Sequence, residues 1–208
     1  LGAGDMLLGR EEPISRAAQV LDGAPGQLRT VAMIGQRGAG LRAVALAATR
    51  GQASLRRRCL TAPATVEEIA SWFPVEPGCV VMVEGLRWML SPRPGGAAPL
   101  RRFIQGVLDD AGQSAWLLVA EEAVWDSARL RCPLSQTFSE EIRLPPMAPA
   151  QLQAAMLTRH AMSGYALRFE AGEDLGWQLR YLLRRSSDAR RRAQEAWFDT
   201  LHMACGGQ

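Results

Sequence analysis

The sequence predicts an α/β fold: a three-layer domain with a five-stranded, mostly parallel sheet, followed by a small helical lid. Three observations predict it. Apolar stretches without polar alternation, such as residues 79–83 and 115–119, are typical of strands buried on both faces of a parallel sheet. Helical segments separate these stretches, which indicates right-handed crossovers between parallel strands. After residues 141–144, the last predicted strand, the pattern is helical only.

The first two predicted units each join a strand to a helix. Residues 28–34 are apolar and rich in β-branched side chains, residues 35–40 read Gly-Gln-Arg-Gly-Ala-Gly, and residues 41–49 are rich in helix-forming alanine and leucine. The second unit runs from a strand over residues 58–60 to a helix that begins at Thr65, because a threonine followed by acids is a helix-start signal.

The remaining segments continue this alternation and then change to helices. A loop rich in proline and glycine, residues 92–99, precedes a predicted helix over residues 100–110. The pair Pro145-Pro146 marks the change, so we place a boundary there. Residues 1–146 are predicted to form the α/β domain and residues 147–208 the helical lid. The helices predicted in the lid cover residues 148–162, 174–185 and 188–203.

The composition excludes several kinds of chemistry. With 208 residues, of which 48% are hydrophobic and 22% charged, the chain is long and apolar enough to bury a core. All 24 basic residues are arginine, and lysine and asparagine are both absent. A lysine Schiff base, a lysine general base and the lysine of an ordinary phosphate-binding loop are therefore excluded. A GC-rich genome would explain both absences without changing this chemical consequence.

The four cysteines and two histidines form no metal-binding or redox motif. The cysteines lie at least 20 residues apart, so we expect no metal site and reduced thiols in a cytoplasmic protein. No apolar run is long enough to span a bilayer, and no signal peptide is present. Because the chain opens on leucine, we expect a fragment of a longer protein. Because its apolar runs are short, we expect that this fragment does not itself insert into a membrane.

The glycine-rich turn matches part of the phosphate-binding pattern G-x-x-x-x-G-K-[ST]. Gly35 and Gly40 occupy its glycine positions, in the strand-turn-helix context where backbone N–H groups cradle phosphates. The last two positions carry Leu41 and Arg42, which supply neither the lysine charge nor the hydroxyl ligand for Mg²⁺. Either the turn only reverses the chain, or its amides hold an anion with Arg37 or Arg42 supplying charge.

A second acidic motif follows the apolar strand over residues 79–83. Glu84 stands where an acid can hold Mg²⁺, and Gly85 stands where a second acid would activate water. Glu84 is therefore a candidate for the metal role, whereas Gly85 cannot act as a base. The alternative is that Glu84 only caps the end of a strand in solvent.

Together these residues resemble a AAA+ domain, or the related STAND ATPases, of the kind found inside larger bacterial ATP-binding proteins with a P-loop NTPase-like fold. Residues 8–12 (Leu-Gly-Arg-Glu-Glu) look like the family's N-terminal motif, and residues 116–121 resemble its sensor strand. Residues 138–147 are similar to the family's F-x-x-x-I-x-L-P-P-L junction between sheet and lid. The resemblance covers nearly the whole chain, and the junction is its most specific part.

The departures from the family pattern fall on catalytic positions. Leu41 and Arg42 replace the lysine and the hydroxyl of the phosphate loop. Gly85 replaces the second acid, and Glu121 stands at the sensor position, which is usually a polar asparagine. The resemblance therefore implies a pseudo-ATPase that no longer depends on hydrolysis.

Three arginines remain as substitutes for the family's catalytic arginines. No arginine stands just before Phe138, where many members of the family present an arginine finger to a neighbour. Arg129 and Arg131 either act from a shifted position or are solvated surface residues. In the lid, Arg190 lies in a segment that resembles the one carrying the family's second sensor arginine.

We therefore predict a catalytically degenerate AAA+-like module, not an enzyme, that acts as a scaffold or regulatory protein-interaction domain of a larger assembly. Two alternatives stay open: a slow or unconventional ATPase acting in an oligomer, and a DNA-associated AAA+ relative. We expect a protein partner or self-association, no metal, and no required cofactor, with at most weak, Mg²⁺-independent binding of ATP or ADP. The residues predicted to make any remaining nucleotide contact are Gly35, Arg37, Gly38, Gly40, Arg42 and Glu84.

Nucleic acid is the less favoured partner. Arginine clusters such as residues 56–58 and 190–192 would suit phosphate contacts. The net charge is only +3, however, and acids are interleaved throughout, so solvated helical faces are the favoured interpretation.

Overall fold

The computed structural model describes residue 7 and residues 9–24, 26–110, 112–164 and 187–205. Five parallel strands form one sheet in the order β2-β3-β4-β1-β5, which confirms the predicted α/β fold. The strands are β1 (Arg29–Gly35), β2 (Leu55–Cys59), β3 (Val80–Glu84), β4 (Ala115–Glu121) and β5 (Glu140–Leu144). The described helices are α1 (Glu11–Leu21), α2 (Leu41–Ala48), α3 (Val66–Ala70), α4 (Ala98–Asp109), α5 (Glu122–Arg129), α6 (Leu134–Thr137), α7 (Pro149–Ser163) and α8 (Ser187–Cys205).

The central strands are buried, as their lack of polar alternation predicts. β1, β3 and β4 are buried along their lengths except at one end residue each. The edge strand β2 is only half-buried, and it begins at Leu55 rather than at the predicted Arg58. The arginines of β2 carry no apolar signal, and an edge position lets their charged heads reach water.

Four helical features depart from the sequence prediction. α5, α6 and a 3₁₀ helix over Leu86–Met89 were not predicted, because each is short and two of them span a single turn. α4 begins at Ala98, inside the predicted loop, with a proline in its first turn where the missing N–H is tolerated.

Aromatic side chains pack the sheet against its helices. Trp116 of β4 packs edge to face against Phe103 of α4 with 5.7 Å between ring centroids, and Trp72 meets the same phenylalanine at 6.2 Å. The Trp116 indole N–H donates to Asp110 at 3.1 Å. Trp125 of α5 packs against Phe138 at 5.6 Å. These contacts anchor the start of β4 to α4 and pack α5 against the segment before β5.

The described chain divides into two compact units. Arg10–Pro145 contains the sheet, and the second unit contains α7 and α8. In the second unit, His202 Nε2 lies 2.9 Å from the Met147 carbonyl oxygen, and Phe198 is buried. The helix predicted over residues 174–185 lies outside the described residues. In the part of the chain that the structure describes, no helix combines the length and the apolar character needed to cross a membrane.

Candidate functional site

The glycine turn connects the end of β1 to the start of α2. Gly38 and Gly40 have φ angles of 94° and 79°, in the left-handed region that favours glycine. The Ala39 N–H donates to the Gln36 carbonyl at 3.1 Å, which tightens the turn. Gly40 caps α2 without a side-chain hydrogen bond. The first N–H groups of α2 therefore lack a capping side chain and lie at the positive end of the helix dipole.

Leu41 packs against the end of β1. A Cβ atom on Gly35 would lie 3.2 Å from Leu41 Cδ2 and 3.3 Å from Leu144 Cβ. The leucine side chain thus lies close to Gly35, where an added Cβ atom would require its neighbours to shift by a few tenths of an ångström. At the position where the phosphate loop usually carries lysine, this chain has an apolar packing residue.

Glu84 ends β3 and pairs with two arginines. Its Oε1 accepts a hydrogen bond from Arg57 Nη2 at 3.1 Å, and its Oε2 lies 3.6 Å from Arg42 Nε. The Glu84 side chain is 14% exposed. Both carboxylate oxygens therefore face guanidinium groups of the same chain, and a divalent cation approaching Glu84 would meet two positive charges. Because Mg²⁺ prefers oxygen ligands and repels cations, this set of side chains does not fit a magnesium site.

Gly85, the next residue, lies in tight contact with the end of β2. Its φ is 92°, and a Cβ atom there would lie 2.4 Å from the Leu60 carbonyl oxygen. The Leu60 N–H donates to the Glu84 carbonyl at 3.0 Å, so the two segments are also hydrogen-bonded. A carboxylate side chain at position 85 would require these segments to separate.

Glu121 ends β4, at the register position beside Gly35. Its side chain is half-buried, and no hydrogen bond or ion pair joins it to another described residue. It also precedes the first residue of α5, where the helix dipole favours a negative charge. Glu121 is thus a charged side chain without a partner among the described residues.

These strand ends frame a cleft of about 240 Å³ at the carboxyl ends of β2, β3 and β4, the edge where open α/β sheets bind ligands. The Arg87 guanidinium lies over the Trp88 ring, 4.7 Å from its centroid, at one side of the cleft. The cleft lining includes Leu60, Glu84, Leu86, Trp88, Glu121 and Val124.

The structure brings together two of the six predicted contact residues in this cleft. Arg42 and Glu84 both line it and pair with each other. The other four predicted residues lie outside the cleft lining, in the adjoining glycine turn or at its start. Within the described residues, exposed Arg37 makes no hydrogen bond or ion pair. The four residues outside the cleft lining are Gly35, Arg37, Gly38 and Gly40.

Sequence reasoning missed the role of Arg57. Position 57 belongs to a run of three arginines that suggested only a solvated surface, and Glu84 lies 27 residues away in sequence. The register of β2 with β3 places Arg57 opposite Met82, two residues before Glu84. Strand pairing creates this contact, and only an arginine run in a strand next to an acidic strand end could have suggested it.

Arg10 is a buried cation at the same end of the sheet. It is 2% exposed, and its Nη1 donates to the Pro145 carbonyl at 2.7 Å. Its Nε and Nη2 are buried and have no hydrogen-bond partner among the described residues. Burial lowers the pKa of this guanidinium. Because Pro145 follows Leu144, the last residue of β5, the Arg10 hydrogen bond ties the segment before α1 to the end of β5.

Removing the Glu84 charge is expected to destabilise the domain. We expect Glu84→Gln to lower the free energy of unfolding by about 1–2 kcal/mol, because two arginines lose their anionic partner. In double-mutant cycles with arginine-to-methionine changes, coupling with Arg57 should be about 1 kcal/mol and coupling with the more exposed Arg42 smaller. Urea denaturation at low and high salt measures both. Two couplings indistinguishable from zero would show that the cluster does not form in solution.

No family model matches the sequence, and no curated protein matches it. Solved structures do match. Thermotoga maritima RuvB, described as a Holliday junction branch migration motor, is similar with a TM-score of 0.58 and 15% identity, over 92% of this chain and 61% of that chain. A chain of the E. coli MS115-1 HORMA:CdnC:Trip13 complex gives a TM-score of 0.59 and 13% identity, over 89% of this chain and 77% of that chain.

The Aeropyrum pernix ORC2 protein, solved as ADPNP–ADP complexes, gives a TM-score of 0.54 and 17% identity, over 95% of this chain and 62% of that chain. RuvB, Trip13 and ORC2 are AAA+ P-loop ATPases. The chain therefore has an AAA+-like fold, as the sequence motifs predict. At these identities the likeness establishes the fold alone, and this chain spans only 61% of the RuvB chain.

Proposed function

We propose that this AAA+-like domain is a catalytically degenerate module that acts as a scaffold or regulatory protein-interaction domain of a larger assembly. The observation that carries the proposal is the ion-pair cluster of Arg42, Glu84 and Arg57. The carboxylate that would hold Mg²⁺ is compensated by two cations of its own chain. Phosphoryl transfer depends on a positioned metal ion, so this arrangement favours a domain that does not hydrolyse nucleotide.

Three further positions support the proposal. Leu41 packs over Gly35 instead of extending a charge toward phosphates, and Gly85 lies too close to Leu60 to be replaced by an acid without rearrangement. Glu121 places a carboxylate where a γ-phosphate would approach, and the two negative charges would repel. All three residues replace groups that catalysis would need, and none of them could take over the missing role.

Some attraction for anions remains in the proposed site. The uncapped start of α2 and the exposed guanidinium of Arg37, which has no partner among the described residues, favour negative charge. We propose that this set, with Gly35, Gly38, Gly40 and the Arg42–Glu84 pair, binds ATP or ADP at most weakly and without Mg²⁺. Nucleotide would then be a structural ligand and not a substrate.

The partner proposed for the domain is a protein. One of its structural neighbours was solved in a HORMA:CdnC:Trip13 complex. By analogy we propose that this chain works through protein contacts or self-association, in the cytoplasm. The arginine run at positions 56–58 is already engaged within the chain. Arg56 pairs with Glu76, Arg57 pairs with Glu84, and the Arg58 guanidinium lies 5.9 Å from the centroid of the Trp72 ring. This run is therefore poorly suited to binding nucleic-acid phosphates.

Titration calorimetry with ATP and ADP, each with and without Mg²⁺, tests the proposal. We expect weak or undetectable binding that Mg²⁺ does not strengthen, and no phosphate release above a protein-free blank. Glu84→Gln is the matched variant, and it should neither make nucleotide binding depend on Mg²⁺ nor change phosphate release, because no metal ion is held by Glu84. Tight Mg²⁺-dependent ATP binding, with turnover that Glu84→Gln abolishes, would contradict the proposal and favour an unconventional ATPase.

A further inference from the structure

Four charged side chains line the cleft at the carboxyl ends of β2, β3 and β4, and only two of them pair with each other. Arg42 Nε lies 3.6 Å from Glu84 Oε2, and Arg57 binds the other oxygen of Glu84. Arg87 and Glu121 have no ion-pair partner among the described residues. The cleft therefore retains one cation and one anion that its own chain leaves uncompensated.

These two uncompensated charges come from different elements of the cleft wall. Glu121 ends β4 and is half-buried, just before the first residue of α5. Arg87 is exposed and lies in the 3₁₀ helix that follows β3, where its guanidinium carbon is 4.7 Å from the centroid of the Trp88 ring. A guanidinium that lies over an aromatic ring still has N–H groups available to a carboxylate. Arg87 can therefore bind an anion without leaving the ring.

Apolar side chains form much of the remaining wall. Leu60 and Leu86 are buried, and Trp88 and Val124 are half-buried. The cleft volume of about 240 Å³ is below the roughly 300–1,000 Å³ of pockets that hold drug-sized ligands. At about 30 Å³ for each water molecule, it has room for about eight waters, or for a molecule of about that number of non-hydrogen atoms. The cleft thus suits a small metabolite with an apolar body.

We propose that this cleft binds a free aliphatic amino acid of about the size of leucine. Arg87 pairs with its carboxylate, Glu121 pairs with its ammonium group, and the apolar wall covers its side chain. The inference rests on the proposed function, because it takes the cleft to hold neither Mg²⁺ nor a γ-phosphate. Within that function the amino acid is a regulatory ligand of the module.

Other small ligands match this lining less well. A phosphate would meet Glu121 as a like charge, and a divalent cation would meet the guanidinium groups of Arg42 and Arg87. An uncharged apolar molecule would cover both free charges without pairing them, which costs free energy. A zwitterion is the class of ligand that supplies a partner of the correct sign to each charge.

Ligand-observed NMR titration with three matched compounds tests this inference. L-leucine carries both charged groups, isocaproate has the same aliphatic body without the ammonium group, and isoamylamine has it without the carboxylate. We expect L-leucine to bind about tenfold or more tightly than either analogue, because each analogue leaves one charge of the cleft unpaired.

Two substitutions separate the contributions of the two charges. Glu121→Gln should weaken L-leucine binding about tenfold or more without weakening that of isocaproate, which has no ammonium group. Arg87→Met should weaken L-leucine binding similarly without weakening that of isoamylamine. Glu68→Gln and Arg50→Met, on exposed residues outside the cleft lining, are the matched controls and should bind L-leucine like the wild type. Circular dichroism verifies that each variant is folded.

Alkylation of Cys59 shows whether the amino acid occupies the cleft. Cys59 is exposed and lines the cleft, whereas Cys79 and Cys132 are buried. At about ten times its dissociation constant, L-leucine should slow the reaction of Cys59 with iodoacetamide about tenfold, because the thiol then reacts only in the unoccupied protein. Mass spectrometry of the digested protein measures the modification at this residue.

The inference is wrong if L-leucine does not bind at concentrations up to about 10 mM, or if either analogue binds as tightly. It is equally wrong if Glu121→Gln and Arg87→Met bind L-leucine like the wild type, or if bound L-leucine leaves the alkylation of Cys59 unchanged. Nucleotide titration of the same protein keeps the two proposals distinct. Absence of L-leucine binding together with weak, Mg²⁺-independent nucleotide binding refutes this inference alone. Tight Mg²⁺-dependent ATP binding contradicts the proposed function, and this inference with it.

Discussion

Replacing Gly85 by alanine is expected to lower the free energy of unfolding by about 3 kcal/mol. Two effects add at this position. A side chain at a φ of 92° is strained in any surroundings, and the new Cβ atom would lie 2.4 Å from the Leu60 carbonyl oxygen. That oxygen belongs to the backbone, so relief requires the end of β2 to move away from β3. Urea denaturation followed by circular dichroism measures the change.

Gly78→Ala separates the two effects. Gly78 also has a left-handed φ of 80°, but a Cβ atom there would meet nothing within 4 Å. It should therefore cost only about 1 kcal/mol, which is the conformational part. If Gly85→Ala is no more destabilising than this control, the close approach to Leu60 is not what excludes a side chain. A functional consequence would follow as well, since a catalytic acid could then be introduced at position 85 without disruption.

The double substitution Leu41→Lys with Arg42→Ser is expected to strengthen Mg²⁺-dependent ATP binding by about ten- to a hundredfold. The lysine would supply a charge for the phosphates, and the serine hydroxyl would supply a ligand for Mg²⁺. Removing the Arg42 guanidinium also frees one oxygen of Glu84. Turnover should stay near the blank, because Gly85 still provides no base. Calorimetry with and without Mg²⁺ measures the gain in affinity.

The control for this experiment is Leu41→Met with Arg42→Met, which removes the same native groups without adding ligands. It should show no Mg²⁺-dependent binding. A gain of equal size in the control would mean that loss of the guanidinium, and not the new ligands, opens the site. No gain in the lysine–serine variant would contradict the assignment of the lost affinity to positions 41 and 42.

The buried central strands could be predicted because a strand covered on both faces requires a continuous run of apolar residues. Residues 79–83 and 115–119 are continuously apolar, and only a strand covered on both faces requires that. The position of β1 between β4 and β5 could not be predicted in the same way, because the hydrophobic pattern of a strand does not identify the strands that pair with it. β2 was misplaced by three residues because an edge strand of arginines has no apolar pattern.

For the candidate site too, the residue identities could be predicted from the sequence, whereas the contacts between those residues could not. The identities of Leu41, Arg42 and Gly85 are matters of sequence, and they suffice to predict that catalytic groups are missing. That the Arg57 side chain reaches Glu84 follows from strand pairing between β2 and β3. The reason why position 85 is glycine likewise appears only when Leu60 is brought against it.

The amino-acid sequence by itself determined which groups are available: arginine without lysine, an acid at position 84 and a glycine after it. These are properties of single residues, and no fold can add a functional group that the chain lacks. Only the tertiary structure decided which charges meet, since Coulomb energy and steric overlap depend on distance and not on order along the chain. It paired Glu84 with Arg42 and Arg57, and it left Glu121, in the lining of the same cleft, without a partner among the described residues.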